Sequence, residues 1–147
     1  MAKFSEIKKY LESKGIKFKV INLPRMAVSV DDVVQLSGGQ IKEEEIIKTL
    51  IVKTKSDEFA GCVLRGRERI KDGFIARLAT REEVLKIAGV DFGAVCPILL
   101  GIPIIIDSKV THLERVNMGS GDHLKGLEMG LKDLLKLLPD YTIKEIT

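Results

Sequence analysis

The spacing of apolar residues predicts four helices. Phe4, Ile7 and Leu11 recur every three or four positions, as on one face of an α-helix. Thr80 and Glu83 have the spacing of a capping box, in which the two side chains bind backbone N–H groups at a helix start. Glycine or proline follows each such stretch and ends it. The predicted helices cover residues 4–14, 29–37, 80–88 and 131–138.

Alternating and continuous apolar runs predict strands between these helices. Ile16, Phe18 and Val20 alternate with lysines, which predicts a strand with one solvent-facing side. The glutamates at positions 43–45 indicate a turn or short helix rather than a metal site. Because helices and strands alternate irregularly, we expect one α+β domain over residues 1–147, with a mixed, curved sheet flanked by helices. Further strands are predicted near residues 46–53, 59–64, 102–107, 124–129 and 141–146.

The composition is that of a folded domain. Of the 147 residues, 45% are hydrophobic and 31% are charged, which argues against disorder. No apolar run approaches the ~18 residues of a membrane span, and the first residues lack the apolar core of a signal peptide. The sequence therefore predicts a cytoplasmic protein with no membrane partner. Its net charge of +3 permits an RNA partner without requiring one.

Cysteine and histidine are too few for a conventional disulfide framework or metal cluster. The chain contains two of each, and their spacing fits no zinc motif. We therefore expect no bound metal. The residues concerned are Cys62, Cys96, His112 and His123.

Two loops combine glycine or proline with the apolar runs beside them. Residues 91–98 have the sequence Asp-Phe-Gly-Ala-Val-Cys-Pro-Ile, and residues 119–123 have the sequence Gly-Ser-Gly-Asp-His. Glycine permits positive φ and a close approach of the backbone to a ligand. We expect both loops to be held in place, with peptide N–H groups available to a ligand. A tight turn before a buried strand and a plain β-turn are the respective alternatives.

One lysine lies inside an apolar run. On a strand, Lys48 would share its side with Ile46, Leu50 and Val52. Its ammonium group must then reach solvent, find a partner or face a cleft. An edge-strand lysine whose aliphatic stem covers the core is the alternative.

These three segments, in this order, resemble a known family. Lys48-Thr49-Leu50, then Gly-x-Val-x-Pro from residue 93, then the Gly-x-Gly stretch before His123 are similar to the YbaK and prolyl-tRNA synthetase-associated editing-domain family. The resemblance is clearest from Met26 onward. It implies a barrel-like mixed sheet flanked by helices. It also implies an aminoacyl-tRNA deacylase, which hydrolyses the ester of wrongly charged tRNA without an organic cofactor.

The resemblance also implies roles for the first two segments. Lys48 is expected to bind the terminal phosphate or ribose of the tRNA and to position the ester. Peptide N–H groups of the glycine-containing loop are expected to stabilise the tetrahedral oxyanion of ester hydrolysis. The loop residues concerned are Gly93, Ala94, Val95, Cys96 and Pro97.

Cys96 permits two hypotheses. A free cysteine usually packs as a small hydrophobe, so Cys96 is expected to form a wall of the amino-acid pocket. A thiol nucleophile is the alternative, and it would require a nearby base to form the thiolate. Only His112 and His123 are available as imidazole bases, and we expect His112 to be structural.

The third segment is expected to form the opposite wall of the pocket. His123 matches a histidine of synthetase-associated members, while Asp122 matches an aspartate of free-standing members. His123 is predicted to orient the substrate's amino group or the attacking water. Ser29, a candidate helix N-cap, stands where the family often has threonine and could face the same cleft. The other residues of this wall are Gly119, Ser120 and Gly121.

A third group of residues is basic. In an extended segment, Arg65, Arg67 and Arg69 would form one row that follows a phosphate backbone. A solvated face is the alternative. No aromatic residue interleaves the row, so base stacking there is not expected.

Three functions remain open from the sequence. The first is a free-standing deacylase whose partner is aminoacyl-tRNA. A synthetase is a possible second partner, and DNA is not an expected one. The second is a non-catalytic module that binds tRNA or a synthetase. The third is a small-molecule thiol hydrolase built on Cys96.

Overall fold

Most of the helices and strands form where the sequence predicts them. The computed structural model describes residues 3–147. The helices are α1 (Phe4–Ser13), α2 (Val30–Leu36), α3 (Arg81–Ala88) and α4 (Leu131–Leu137), with 3-10 turns at Glu43–Glu45 and Ser108–His112. The strands are β1 (Phe18–Asn22), β2 (Ile47–Lys53), β3 (Phe59–Arg65), β4 (Arg77–Leu78), β5 (Ile104–Asp107), β6 (Arg115–Gly119), β7 (Lys125–Gly130) and β8 (Thr142–Lys144).

Two helix starts show why the local predictions hold. The Ser29 hydroxyl accepts a hydrogen bond from the Asp32 N–H group at 3.0 Å and caps α2. Thr80 and Glu83 form the expected capping box at the start of α3, and Gly89 ends this helix in the left-handed conformation. Arg77 also binds Glu83, which lowers the pKa of this glutamate to about 2. These residues act within a few positions of one another, so the sequence suffices to predict them.

The strands form two sheets. The smaller has the order β1-β7-β6 and is antiparallel. The larger has the order β4-β2-β3-β5-β8, in which β2 is antiparallel to β3 and to β4. Its β3–β5 and β5–β8 pairs are parallel, so this sheet is mixed, as expected. An isolated parallel bridge between Ile46 and Asn117 joins the two sheets.

One part of the fold that the resemblance implies is wrong, namely the closure of the sheet into a barrel. The strands form two separate sheets that meet at one bridge, and these do not close into a barrel. The main core contains residues from both sheets and from α1, α3 and α4. A second cluster lies on the other side of β2 and β3, and a third lies between β1, α2 and the start of β2.

Two strands were not predicted, and one boundary differs. β4 has two exposed residues, and β6 follows the 3-10 turn with no marked alternation in its burial. Strand β5 begins at Ile104 rather than at Ile102, because Pro103 has no N–H group to donate to a ladder. Among residues 3–147, no helix is long and apolar enough to cross a membrane.

Candidate functional site

A cavity of about 330 Å³ opens where the two sheets meet. Its walls come from α2 and the loop before it, from the start of β2, and from the hairpin that joins β6 to β7. A second cavity, of about 170 Å³, is lined by β2 residues and by Gly93, Val95 and Gly119. Lys48, Gly93 and Gly119 line both cavities. The three segments singled out in the sequence therefore come together at one place.

The two glycine-containing loops pack directly against each other. A Cβ atom on Gly119 would lie 2.7 Å from the carbonyl oxygen of Val95 and 2.9 Å from the carbonyl carbon of Ala94. The Gly121 N–H group donates to the Ala94 carbonyl at 2.8 Å. Only glycine fits at position 119, since the neighbouring atoms are backbone and cannot turn aside. The expectation that these loops are held in place agrees with this packing.

The first loop is also anchored to α3 at its other end. Arg81 forms an ion pair with Asp91 at 2.8 Å. A hydrogen bond from the Phe92 N–H group, together with Arg81, keeps the pKa of Asp91 below its usual value. Gly93 then has φ of 88°, a conformation that glycine adopts readily. Loop 91–97 is therefore fixed on both sides of this turn.

The loop presents peptide N–H groups that the fold does not use. Ala94 donates to the Asp91 carbonyl at 3.3 Å. Within residues 3–147, the N–H groups of Gly93 and Val95 have no carbonyl acceptor. Both residues line the smaller cavity. Two N–H groups without a backbone acceptor therefore belong to residues of the cavity wall.

Lys48 is the second residue of β2 and is partly buried. Burial is the main cause that lowers its pKa, and the positive charge of Arg69 adds to this effect, while Glu68 opposes it. Leu50 and Val52 share its side of the strand, as predicted, whereas Ile46 lies outside β2. The ammonium group is thus partly desolvated at the edge of a cavity, where it can bind an anionic or polar group strongly.

The β6–β7 hairpin divides its residues between structure and cavity. Asp122 and His123 line the large cavity. Ser120 is fully buried, and its hydroxyl donates to the Lys125 carbonyl at 2.6 Å, so it holds the hairpin together. Neither Ser120 nor Gly121 lines a cavity.

Cys96 lies behind the loop rather than on its cavity side. It is 5% exposed and lines neither cavity, as is also true of Ala94 and Pro97. Burial raises the pKa of the Cys96 thiol to about 12. At neutral pH the thiol is therefore protonated, which is the opposite of what a nucleophilic cysteine requires.

The helix-capping serine faces the same cavity. Ser29, Val30 and Val33 of α2 line its wall, together with Val28, which is 81% exposed. Ser29 thus has both of the positions expected for it, the N-cap and the cleft.

The arginine segment differs from the regular row that an extended chain would form. β3 ends at Arg65, and residues 66–67 form a turn. Arg67 forms ion pairs with Asp31 and with Glu43, and Arg65 lies 3.7 Å from Glu68. Gly66 permits this turn to pack closely on Ile46 and on Val30 of α2, because a Cβ atom there would lie 2.9 Å from the first and 3.1 Å from the second. Much of the positive charge therefore has acidic partners within the fold.

Asn117 is a cavity residue that the sequence analysis did not single out. It lies in β6, is 2% exposed and lines the large cavity. Its only signal in the sequence is an amide between Val116 and Met118 in an apolar stretch. Because β6 was not predicted, the sequence could not indicate that this amide lies on a strand beside a cavity.

Solved structures share this fold. The chain matches hypothetical protein APE2540 with a TM-score of 0.81 at 23% identity, over 95% of this chain and 97% of that one. It matches a candidate trans-editing enzyme for prolyl tRNA synthetase with a TM-score of 0.79 at 21% identity, over 100% and 98% of the two chains. At these identities the likeness establishes the α+β fold alone.

The family follows from the sequence match. Residues 26–137 match the model of the aminoacyl-tRNA editing domain, and the chain belongs to this family. This confirms the resemblance to the YbaK and prolyl-tRNA synthetase-associated domains. Over 94 residues the chain is 32% identical to the proline–tRNA ligase of Halalkalibacterium halodurans. The matched part is 58% of this chain and 16% of the ligase, so the chain corresponds to a small part of that relative.

Proposed function

We propose that this chain is a deacylase of misacylated tRNA. It hydrolyses the ester between an amino acid and the 3′-terminal ribose. The observation that carries the proposal is the convergence of three chemical groups on adjoining cavities. These groups are the partly desolvated Lys48 ammonium, the unused N–H groups of Gly93 and Val95, and the His123 imidazole.

These groups suit the steps of ester hydrolysis. Water adds to the ester carbonyl carbon, and the carbonyl oxygen becomes an oxyanion that the Gly93 and Val95 N–H groups stabilise. The bond to the ribose oxygen then breaks, and that oxygen takes up the proton that the attacking water has lost. Lys48 holds the terminal phosphate or ribose, and His123 orients the water. A neighbouring ribose hydroxyl can assist the proton transfer, so the protein needs no strong base of its own.

The state of Cys96 favours water as the nucleophile. A thiol with its pKa raised to about 12 is almost entirely protonated at neutral pH. Its position outside both cavities also keeps it from the proposed ester. A thiol hydrolase built on Cys96 therefore has no support in this geometry.

The acceptor end of the tRNA carries phosphates that need cations near the mouth of the cavity. Lys48 and Lys125 line the large cavity, and Arg69 lies close enough to lower the pKa of Lys48. We infer that these cations hold the terminal nucleotides, and that partner recognition is largely electrostatic. The match to part of a proline–tRNA ligase makes the proline-specific tRNA the first one to test.

A deacylation assay with a panel of charged tRNAs tests the proposal. The proline-specific tRNA, mischarged or correctly charged, is incubated with the protein, and release of the labelled amino acid is followed. We expect catalytic turnover of at least one mischarged species, while its correctly charged counterpart is spared. If the protein binds charged tRNA without accelerating release, the chain is a tRNA-binding module instead.

A further inference from the structure

Asn117 is an unusual residue for the wall of a cavity. It is 2% exposed, and its Oδ1 atom is buried without a hydrogen-bond donor among the described residues. Native structures contain few such unpaired acceptors, because the desolvation of the oxygen is not compensated. A group that enters the cavity could supply the missing donor.

The strand geometry turns Asn117 toward the large cavity. Its neighbours Val116 and Met118 belong to the main core, so Asn117 points to the opposite side of β6. Asn117 is bridged through its backbone to Ile46, and both residues line the large cavity together with Val30 and Val33 of α2. The amide is thus held by a junction of the two sheets rather than by a loop.

Glu45 sets the orientation of the amide. The Nδ2 group of Asn117 donates to the Glu45 Oε1 atom at 3.4 Å. A carboxylate accepts hydrogen bonds, so it selects the NH₂ side of the amide and leaves Oδ1 for another donor. The contact is long for a hydrogen bond, which lets the amide adjust to a ligand at little cost.

The aminoacyl group carries a donor that this acceptor fits. Its free α-amino group, when protonated, presents three N–H donors and a positive charge. Lys48 and Lys125 repel such a charge at their side of the cavity. Asp122 is the anionic residue among those that line this cavity, and its Oδ1 atom already accepts from the Leu124 N–H group at 2.8 Å. Asn117, with the Glu45 carboxylate behind it, provides both an acceptor and a favourable field.

We therefore propose that Asn117 binds the protonated α-amino group of the aminoacyl ester and that Glu45 orients the amide for this purpose. The inference rests on the deacylase function proposed above. It makes Asn117 a residue that positions the ester carbonyl against the N–H groups of Gly93 and Val95. A substrate without the α-amino group would lose this alignment.

The first test uses the wild-type protein and two matched substrates. One is the aminoacyl-tRNA that the deacylation panel identifies, and the other is its α-hydroxyacyl analogue, in which a hydroxyl replaces the amino group. Each enzymatic rate is divided by the uncatalysed rate, because the two esters differ in intrinsic reactivity. We expect kcat/KM to favour the amino substrate at least about tenfold. Equal normalised rates would overturn the inference.

The second test removes the acceptor. Asn117→Leu keeps the branching and the number of heavy atoms of the side chain without the oxygen, and Asn117→Asp keeps an acceptor at the same place. Gln40→Leu is the matched control, since Gln40 is an exposed amide residue that lines neither cavity. We expect Asn117→Leu to bring the amino-to-hydroxy ratio close to one, and Asn117→Asp and the control to keep the preference.

The outcomes separate the inference from the proposed function and from a structural role. If the wild type hydrolyses neither substrate, the deacylase proposal fails. If Asn117→Leu slows both substrates equally, the residue is structural and the inference fails. If Asp122→Asn abolishes the preference while Asn117→Leu keeps it, the amino group binds at Asp122 and the inference again fails. Urea unfolding of every variant identifies any that does not fold, and the substrate comparison on the wild type needs no variant.

Discussion

One wall of the large cavity is built of interlocked backbone, whereas the opposite wall is a short helix held by partly buried valines and by exposed ion pairs. On the first side, Gly119 packs against the carbonyl groups of Ala94 and Val95, and Gly121 donates to one of them. On the other side, the seven-residue helix α2 has no fully buried residue. Arg67 joins it, through Asp31, to Glu43.

Because of this difference, we expect the two walls to have different roles. Backbone packing does not respond to salt and resists displacement, so it suits groups that must stay aligned with a reacting ester. Exposed ion pairs are weak and are screened by salt. We expect changes in the backbone wall to lower kcat, and changes in the α2 wall to alter KM.

Substitution of Lys48 should have the largest effect on catalysis. Lys48→Ala removes the partly desolvated cation that both cavities share, and we expect deacylation to fall at least about 10²-fold while the fold survives. Steady-state kinetics at saturating tRNA is the measurement. Lys53→Ala, in the same strand but outside both cavities, is the control and should keep its activity. Wild-type rates in a folded Lys48→Ala variant would contradict this role.

Gly119 tests the interlocked backbone itself. In Gly119→Ala the new methyl group would overlap the Val95 carbonyl oxygen, so the two loops must separate. We expect kcat to fall roughly tenfold to 10²-fold and the free energy of unfolding to fall by about 1–3 kcal/mol. Gly130→Ala is a suitable control, because its Cβ atom would have contacts of 3.6 Å or more. Unchanged kcat in Gly119→Ala would show that the loop contact does not align the site.

Arg67 tests the opposite wall. Arg67→Gln breaks the pairs with Asp31 and Glu43, so α2 should become more mobile. We expect KM to rise about two- to fivefold at low salt with kcat little changed, and this difference to disappear at high salt. Arg69→Gln should instead reduce the slope of log affinity against log salt, by roughly 0.7–0.9 if it contacts one phosphate. An equal loss of slope in both variants would favour the regular arginine row.

Cys96 should give the smallest effect on activity. Cys96→Ala is expected to change kcat/KM by less than about threefold, because the thiol lies outside both cavities and is protonated. Complete inactivation, or a thioester trapped on Cys96, would show a thiol nucleophile. The measurement is deacylation at neutral pH.

The same thiol should affect stability only at high pH. Its pKa is raised from 9.0 to about 12, so the folded protein binds a proton that the unfolded chain releases above pH 9. Stability from this group is complete below pH 9 and is lost as the pH rises toward 12. Urea unfolding across this range should show a shallower decline for Cys96→Ala. Identical pH profiles for the two proteins would contradict the raised pKa.

Much of the fold and part of the site could be predicted from the sequence. Ser29, Thr80 and Gly89 act through neighbours a few positions away, so their patterns suffice. Lys48 could be found because it interrupts an apolar run, and the residue-93 loop because glycine and proline stand beside one. Arg67 could not be assigned in this way, since its partners Asp31 and Glu43 are distant in the chain.

The sequence alone determined the family and the α+β class. These follow from short-range patterns, because capping, periodicity and glycine-containing motifs act over a few residues. Only the tertiary structure decided that Asn117 faces the cavity and Cys96 does not, and that Gly119 must be glycine. Each of these depends on contact between segments far apart in the chain, and a local pattern contains no information about which distant backbone will lie within 3 Å.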